Sequence, residues 1–207
     1  MIGLNRLHNL AQSGELLPAL TGHYGSDEQL LQDRARLYKE LISSALEQWG
    51  DREVLLVRVP ARVNLMGVHV DHRGGFCNYV TFARETLLLA APRQDRKICA
   101  FNVDPQYPSV EFTIDEELPN EQLGDWMRFI SALQLEKGHW GNYLKAGVLK
   151  LQDAYPERTL QGFDLCVYGD VPPGAGLSSS STLVVGTMMA ANRLNGLGLS
   201  SADLVPL

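Results

Sequence analysis

Apolar side chains recur every three or four positions between residues 26 and 50, and this spacing predicts one long amphipathic helix. Ser26 and Gln29 have the spacing of a capping box at its start, and Gly50 ends it. A stripe of this kind indicates packing against a core rather than a ligand site. Its members are Leu30, Leu31, Ala35, Tyr38, Ile42, Ala45, Leu46 and Trp49.

Shorter apolar or alternating runs predict five strands, and a turn at residues 92–96 is expected to join the second and third of them as a hairpin. The predicted strands are residues 53–59, 85–91, 97–103, 110–114 and 163–168.

Helical spacing returns later in the chain, and it predicts helices at residues 121–137, 140–154 and 182–194. The last of these is apolar almost all round, which predicts a buried helix. It ends at Asn195 and Gly196, and Ser200 caps a further helix. Because the strands come first in hairpin-like succession and the helices follow, the order favours an α+β fold over a regular parallel α/β fold.

Length and composition place the chain among ordinary globular proteins. Its 207 residues can bury a core of their own, and 45% are hydrophobic while 20% are charged. We expect an N-terminal arm at residues 1–25, to which the sequence assigns no function, followed by one domain at residues 26–207. The formal net charge of −6 and the lack of a basic run argue against a nucleic-acid partner.

The sequence contains no apolar run of transmembrane length, and polar residues interrupt the first twenty positions, so we expect neither a membrane partner nor a signal peptide. Cys77, Cys99 and Cys166 are odd in number and far apart. They show neither metal-ligand spacing nor a disulfide framework. Reduced thiols in a cytoplasmic protein are the expected state.

Residues 171–181 read Val-Pro-Pro-Gly-Ala-Gly-Leu followed by four serines, between a predicted strand and a predicted helix. Gly174 and Gly176 permit positive φ angles, which bring backbone N–H groups close to a ligand. The serines stand where the helix begins, and a helix N-terminus has free N–H donors and a partial positive charge that suit a phosphate. We interpret the stretch as a phosphate-binding loop. Glycine spacing alone would favour the alternative, a helix cap that binds nothing, and the spacing matches neither a Walker loop nor a dinucleotide fingerprint.

A second polar stretch, residues 60–75, follows the first strong strand and is predicted to be rich in turns. Spacing alone allows a charged surface loop with an ordinary ion pair between Arg62 and Asp71. His69 and His72 are spaced as two metal ligands, but the sequence offers no third one. The polar residues of this stretch are Arg62, Asn64, His69, Asp71, His72 and Arg73.

Both motifs resemble those of the GHMP kinases. The glycine-rich loop resembles the second motif of that family, and residues 60–75 resemble the galactokinase signature, about 110 residues earlier in the family's order. The resemblance covers roughly residues 30–207, and it implies the α+β fold of the GHMP kinase N-terminal domain, a mixed or antiparallel sheet with helices packed on it. The ferredoxin-like C-terminal half of the family lies beyond the point that matches Leu207.

The resemblance also implies roles for individual residues. Arg62 would act near the transferred phosphoryl group as the catalytic residue of this set. Substrate would be bound by Arg62, Asn64, His69 and Asp71. ATP would be bound by Asn102, Pro173, Gly174, Ala175, Gly176, Leu177, Ser178, Ser179 and Ser180, and Ser180 would also contact Mg²⁺.

The implied reaction is transfer of the ATP γ-phosphoryl group to a sugar hydroxyl, at the anomeric position. Val68 stands where galactokinases have a sugar-binding glutamate, and the family's aspartate base and acidic Mg²⁺ ligand follow the point matching Leu207. We therefore expect these 207 residues alone to be poorly active and to self-associate through apolar surface. Two alternatives are a galactokinase-like binding protein without activity and a GHMP kinase for another alcohol, such as a heptose.

Overall fold

A six-stranded sheet lies at the centre of the computed structural model, which describes residues 1–67, 73–119, 123–132 and 138–207. In these ranges the strands are β1 (Ile2–Gly3), β2 (Glu53–Met66), β3 (Asn78–Pro92), β4 (Lys97–Asn102), β5 (Val110–Thr113) and β6 (Phe163–Gly169). The helices are α1 (Leu4–Ser13), α2 (Leu17–Tyr24), α3 (Glu28–Trp49), α4 (Ile114–Glu117), α5 (Trp126–Ala132), α6 (Gly141–Ala154), α7 (Ser179–Leu194) and α8 (Ser201–Leu204).

The strands lie in the order β1-β2-β3-β6-β4-β5, and all neighbours are antiparallel except β6 and β4, which are parallel. The predicted hairpin between β3 and β4 is therefore wrong, because β6 lies between them. Leu165 of β6 pairs with Ala90 on one side and Ala100 on the other. Residues 163–167 are all buried, so both faces of β6 need partners, and a central position provides them.

Strand β3 separates two hydrophobic clusters, because successive side chains of a strand point to opposite faces. Leu88 and Ala90 pack in the cluster that holds α6 and α7, whereas Leu87 and Leu89 pack in the cluster that holds α1 and α3. All four side chains are fully buried. Residues 85–91 of β3, the part predicted from the sequence, contain a continuous apolar run because helices cover both faces of the sheet.

The first 25 residues form β1, α1 and α2 and pack onto the rest of the chain. Leu4, Leu7, Ala11 and Leu20 are buried in the same cluster as Leu41 of α3. Strand β1 extends the sheet by pairing with the start of β2. The segment to which the sequence assigned no function thus supplies part of one helical layer.

Helix α3 confirms the amphipathic pattern but begins differently from the prediction. Its N-cap is Asp27, whose side chain accepts a hydrogen bond from the backbone N–H of Leu30 at 2.8 Å. The predicted cap formed by Ser26 and Gln29 is wrong, because the carboxylate one residue later accepts from the first turn instead. Aspartate is as strong an N-cap as serine.

The later elements follow the predictions with shifted bounds. The strand predicted at 110–114 ends at Thr113, since Ile114 begins α4. Only residues 126–132 of the helix predicted at 121–137 form α5, and residues 120–122 and 133–137 lie outside the described residues. Helix α6 matches within one residue, and Ser200 caps α8 in a reciprocal capping box with Asp203.

Helix α7 starts at Ser179, three residues earlier than predicted, and it is not buried all round. Val185 is 44% exposed and Met189 is 40% exposed. With Leu55, Met188 and neighbouring side chains they line an apolar groove between β2, α7 and α8. Within the described ranges, no helix combines the length and apolar character that crossing a membrane requires.

Candidate functional site

The glycine-rich loop, residues 171–178, joins β6 to α7 and contains three left-handed residues within five positions. Their φ angles are 71° at Gly174, 72° at Gly176 and 67° at Ser178. A methyl group placed on either glycine would meet no heavy atom within 4 Å, so this side of the loop is open. Closely spaced left-handed residues turn backbone N–H groups toward one concave side, the arrangement that binds anions in proteins.

Ser178 occupies the N-cap position of α7, but its side chain makes no capping hydrogen bond. Its carbonyl oxygen accepts from the N–H of Thr182 at 3.0 Å. Ser178 is the one non-glycine residue with positive φ among those described. A left-handed conformation costs an L-residue about 1–2 kcal/mol, and such strain is often kept where a backbone is shaped for a ligand.

Arg62 and Asn64 lie on β2, which continues to Met66. The predicted turn-rich stretch is therefore wrong for residues 60–66. The strand continues because it pairs with β3, with an irregularity between Pro60 and Arg62 that absorbs the proline. The backbone N–H of Arg62 donates to the carbonyl oxygen of Leu177 at 3.4 Å, which joins β2 to the glycine-rich loop.

The Arg62 guanidinium lies over the ring of Tyr79, 4.8 Å from its centroid. Tyr79 is the β3 partner of Asn64 in the antiparallel register. The Oδ1 atom of Asn64 is buried and accepts no hydrogen bond from the described residues. A buried acceptor in this state is stabilised when a donor reaches it.

These side chains and the loop enclose a first cavity of about 560 Å³. Its lining combines one cation, one amide, one aromatic ring, loop backbone and serine hydroxyl groups. It is lined by Arg62, Val63, Asn64, Tyr79, Gly174, Gly176, Leu177, Ser178, Ser179, Ser180 and Ser181.

A second cavity of about 370 Å³ lies on the other side of the loop. Its walls include Tyr107, Trp140 and Tyr143, and the rings of Tyr107 and Trp140 meet edge to face with centroids 6.1 Å apart. The indole N–H of Trp140 donates to the carbonyl oxygen of Pro108 at 2.8 Å, which fixes that ring. Asn102 also lines the cavity, and its side-chain oxygen accepts from the N–H of Asp104 at 2.9 Å.

The loop is a shared wall, because Gly174, Ser179 and Ser180 line both cavities. The three aromatic residues were missed by sequence reasoning. Trp140 and Tyr143 lie one turn apart at the start of α6, Tyr107 lies more than 30 residues earlier, and only the fold brings them to the loop.

The predicted site residues fall into four groups. The first cavity brings together Arg62, Asn64, Gly174, Gly176, Leu177, Ser178, Ser179 and Ser180, while Asn102 and Pro173 line the second. Ala175 lies at the exposed tip of the loop and lines neither of these two cavities. His69 and Asp71, together with Val68 and His72, lie outside the described residues, so their predicted roles stay predictions.

The residues that the structure describes form no cluster of three or more histidine, cysteine or carboxylate side chains that could hold a metal ion. Ser180 offers one hydroxyl oxygen beside the loop. Oxygen donors of this kind fit Mg²⁺, which usually takes few protein ligands and completes its shell with phosphate oxygens and water.

Two family models match the chain. The model for the N-terminal domain of GHMP kinases matches residues 142–207, which include the glycine-rich loop and α7. The galactokinase galactose-binding signature matches residues 46–92, which include β2 and most of β3. The chain is thus similar to the N-terminal region of the GHMP kinases and, within that family, to the sugar-binding signature of the galactokinases.

Relatives agree with this assignment. A galactokinase from Roseiflexus sp. is 37% identical over 164 residues, a match that covers 77% of this chain and 37% of the relative. The structure of Lactococcus lactis galactokinase complexed with galactose has a TM-score of 0.65 at 27% identity, covering 79% of this chain and 39% of that one. The chain thus spans well under half of the length of these relatives.

The fold extends to other GHMP kinases. Mevalonate kinase from Methanococcus jannaschii matches with a TM-score of 0.55 at 16% identity, covering 74% of this chain and 44% of that one. At this identity the likeness concerns the fold alone. The predicted α+β class and the GHMP kinase N-terminal fold are both confirmed.

Proposed function

We propose that this chain is the ATP- and sugar-binding N-terminal part of an ATP-dependent sugar kinase of galactokinase type. The observation that carries the proposal is the shared loop. One concave backbone segment at the start of a 16-residue helix lines a cavity with Arg62 on one side and an aromatic cavity on the other. That arrangement suits a nucleotide whose phosphates lie on the loop and a phosphoryl acceptor beside Arg62.

The second cavity supports placement of the nucleoside. Tyr107, Trp140 and Tyr143 offer aromatic surface, and a purine ring packs favourably on such surface. The loop residues shared with the first cavity would then receive the phosphates, through backbone N–H groups and the hydroxyl groups of Ser179 and Ser180. Asn102 and Pro173 would contact the same ligand.

Arg62 is the cation best placed for the transferred phosphoryl group. A guanidinium keeps its charge at any physiological pH, and the Tyr79 ring below it restricts its orientation. In phosphoryl transfer most of the rate comes from positioning and electrostatic stabilisation, which is the contribution that Arg62 would make. Bound Mg²⁺ supplies further neutralisation of phosphate charge, and the Ser180 hydroxyl would be one of its protein oxygen donors.

Asn64 would bind the sugar. Its buried Oδ1 atom lacks a donor among the described residues, and a sugar hydroxyl in the first cavity would supply one. His69 and Asp71 are proposed as further contacts to sugar hydroxyl groups. The proposed acceptor is a monosaccharide, with a sugar 1-phosphate as product, and the proposed location is the cytoplasm. Self-association through apolar surface stays a prediction.

Binding and transfer test this proposal separately. Calorimetric titration of the chain with MgATP, and separately with galactose and other aldoses, measures the affinity of each site. Transfer of radiolabelled phosphate from ATP to the sugar measures the reaction, and it is assayed in the longest available protein that contains this sequence. Arg62→Ala is expected to lower transfer by about a hundredfold, because one charge-stabilising donor has about that effect. Arg62→Lys should restore part of the loss. The matched control is Arg36→Ala, which removes an exposed arginine from α3.

Failure of the chain to bind either ligand would contradict the proposal. The alternative is an inactive binding protein, and the observation that favours it is Val68, which stands where the family has a glutamate. This alternative would be supported if MgATP and a sugar bind, Arg62→Ala weakens binding, and no phosphate is transferred to any aldose.

A further inference from the structure

Glu85 of β3 is fully buried and lies at the centre of a network of charged and phenolic groups. Its carboxylate accepts hydrogen bonds from the Arg58 guanidinium and from the Tyr24 hydroxyl group. Nη1 of Arg34 lies 3.9 Å from the same carboxylate. Strand β2 therefore contributes one cation, helix α3 contributes another, and helix α2 contributes the phenol.

Tyr24 is the last residue of α2, in the N-terminal segment to which the sequence assigned no function. Its hydroxyl group also lies 3.2 Å from that of Tyr38, and Arg58 packs over its ring at 4.7 Å. Burial, reinforced by the hydrogen bonds with Glu85 and Tyr38, raises the pKa of Tyr24 above its usual value. The phenol is thus protonated and donates to Glu85.

The network ends at Asp170, the residue directly before the glycine-rich loop. Arg34 donates to its carboxylate at 2.6 Å. The backbone N–H of Glu85 donates to the other carboxylate oxygen at 3.0 Å, and the N–H of Asp170 donates to the carbonyl oxygen of Glu85 at 3.1 Å. Arg84 completes the set by donating to the carbonyl oxygen of Asp170 at 3.0 Å.

The hydrogen bonds and charged contacts around Asp170 and Glu85 all join residues distant in sequence, so several elements fix the start of the loop. Two nitrogens of Arg34, Nε and Nη1, are buried without a hydrogen-bond acceptor among the described residues. A buried ion network with unsatisfied donors is a poor source of stability, since hydrophobic packing of the same volume often does better. The network around Glu85 instead holds Asp170 in a fixed position, because Arg34 and the backbone of Glu85 both bind its carboxylate.

We propose that Tyr24 is a positioning residue for the glycine-rich loop, acting through Glu85, Arg34 and Asp170. This inference rests on the proposed function, in which that loop binds the phosphates of a nucleotide. It gives the N-terminal segment a role in the site, since Tyr24 holds the carboxylate that orients Arg34, and Arg34 in turn holds the residue where the loop begins. The segment reaches no atom of either cavity through Tyr24 itself.

Hydrogen exchange of the loop tests this inference without any ligand. In the 207-residue chain, Tyr24→Phe removes one hydroxyl group and keeps the ring. We expect exchange of the amides of residues 174–181 to become about tenfold faster, because one hydrogen bond to a charged group is lost. Exchange in residues 97–113, which form the distant edge of the sheet, should not change. Equal acceleration in both segments would indicate a loss of overall stability and would overturn the inference.

Asp170→Asn supplies a second variant, and Tyr155→Phe is the matched control, since Tyr155 belongs to the cluster on the opposite face of the sheet. If Tyr24 acts through Asp170, the double variant should accelerate loop exchange no more than Asp170→Asn alone. Additive effects would contradict the proposed connection.

Nucleotide affinity separates this inference from the proposed function. Tyr24→Phe is expected to raise the dissociation constant for MgATP about tenfold and to leave that for the sugar unchanged. If the unaltered chain binds no MgATP, the proposed function fails while the exchange data still decide whether Tyr24 holds the loop. If the chain binds MgATP and Tyr24→Phe binds equally well with an unchanged loop, only the inference fails.

Discussion

Thr86 and Thr182 share a hydrogen bond of 2.6 Å between their hydroxyl groups, and both side chains are buried. Thr182 also donates to the carbonyl oxygen of Ser179 at 2.7 Å, so the pair joins β3 to the first turn of α7. The preceding residue on β3, Glu85, is bonded to Asp170 at the other end of the loop. Two adjacent residues of one strand therefore hold both ends of the glycine-rich loop.

Thr86→Val should weaken this connection. The substitution keeps the shape and removes the donor, and we expect the free energy of unfolding to fall by about 1 kcal/mol, the usual contribution of one hydrogen bond. Urea unfolding of the chain measures it. Because Thr182 keeps its bond to Ser179, the loss should not reach the cost of a fully unsatisfied hydroxyl group.

Thr187→Val is the opposite case and serves as the matched comparison. The Thr187 hydroxyl is buried in α7 and has no hydrogen-bond partner among the described residues. Replacing it with a methyl group of similar size should raise the free energy of unfolding by about 1 kcal/mol, because an unsatisfied polar group leaves the core. A loss of stability in the same urea experiment would show that the hydroxyl is satisfied.

Gly147 allows α6 and α7 to approach closely. A methyl group at this position would lie 2.7 Å from the carbonyl oxygen of Val184 and 3.2 Å from the backbone nitrogen of Met188. We expect Gly147→Ala to lower the free energy of unfolding by about 2 kcal/mol, even though alanine favours helices, because overpacking outweighs propensity. Gly22 in α2 is the control, since no atom lies within 4 Å of its added methyl group. Gly22→Ala should stabilise the chain by about 0.5–1 kcal/mol.

Ser178→Gly tests the strain in the loop. Glycine adopts the observed φ of 67° without steric conflict, so the variant should gain about 0.5 kcal/mol of stability after the entropy of glycine in the unfolded state is subtracted. The affinity for MgATP, measured by titration, should fall if the serine hydroxyl contacts a phosphate. Lower stability of the variant would mean that the side chain holds the loop instead.

Asp95 makes the stability of the folded chain depend on pH under acidic conditions. Hydrogen bonding from Arg93 lowers the pKa of the Asp95 carboxyl group from its ordinary value to about 2. Because the pKa is lower in the folded state, the pairing of Asp95 with Arg93 stabilises the fold fully above pH ~4, the pKa of an aspartate in the unfolded chain. This stabilisation is lost as the pH falls toward about 2. The difference in urea midpoint between the unaltered chain and Asp95→Asn should therefore persist at pH ~3.5 and vanish near pH ~2. Because the pair is exposed, high salt should shrink this difference, and a difference that vanishes at pH ~4 would contradict the pairing.

Local periodicity was enough to predict most elements. The helical period of α3 and the short continuous apolar runs of β3 and β6 were enough to place these elements, and the order of strands and helices predicted the correct α+β class. The neighbours of β6 could not be predicted, because a strand that is apolar on both faces is compatible with any central position. The extension of β2 past Pro60 was missed for a related reason, since only pairing with β3 shows that the proline is accommodated at an irregularity.

Some residues of the candidate site could also be predicted from the sequence and others could not. Gly174 and Gly176 could be recognised because positions with positive φ angles favour glycine. Trp140, Tyr107 and Tyr143 could not, since aromatic residues are equally common in cores and only the fold brings Tyr107 to the other two. Tyr24 is the extreme case, because it meets Glu85 across 61 positions of the chain.

The common wall of the two cavities would link the binding of their proposed occupants thermodynamically. A ligand in one cavity that orders Ser179 and Ser180 reduces the conformational entropy of the loop. A ligand that then enters the other cavity loses less entropy when it binds. The second ligand then binds more tightly, and by linkage the first gains the same factor in return. If the proposed function holds, cooperativity between nucleotide and acceptor would arise from a few residues of backbone, without any movement of one domain against another.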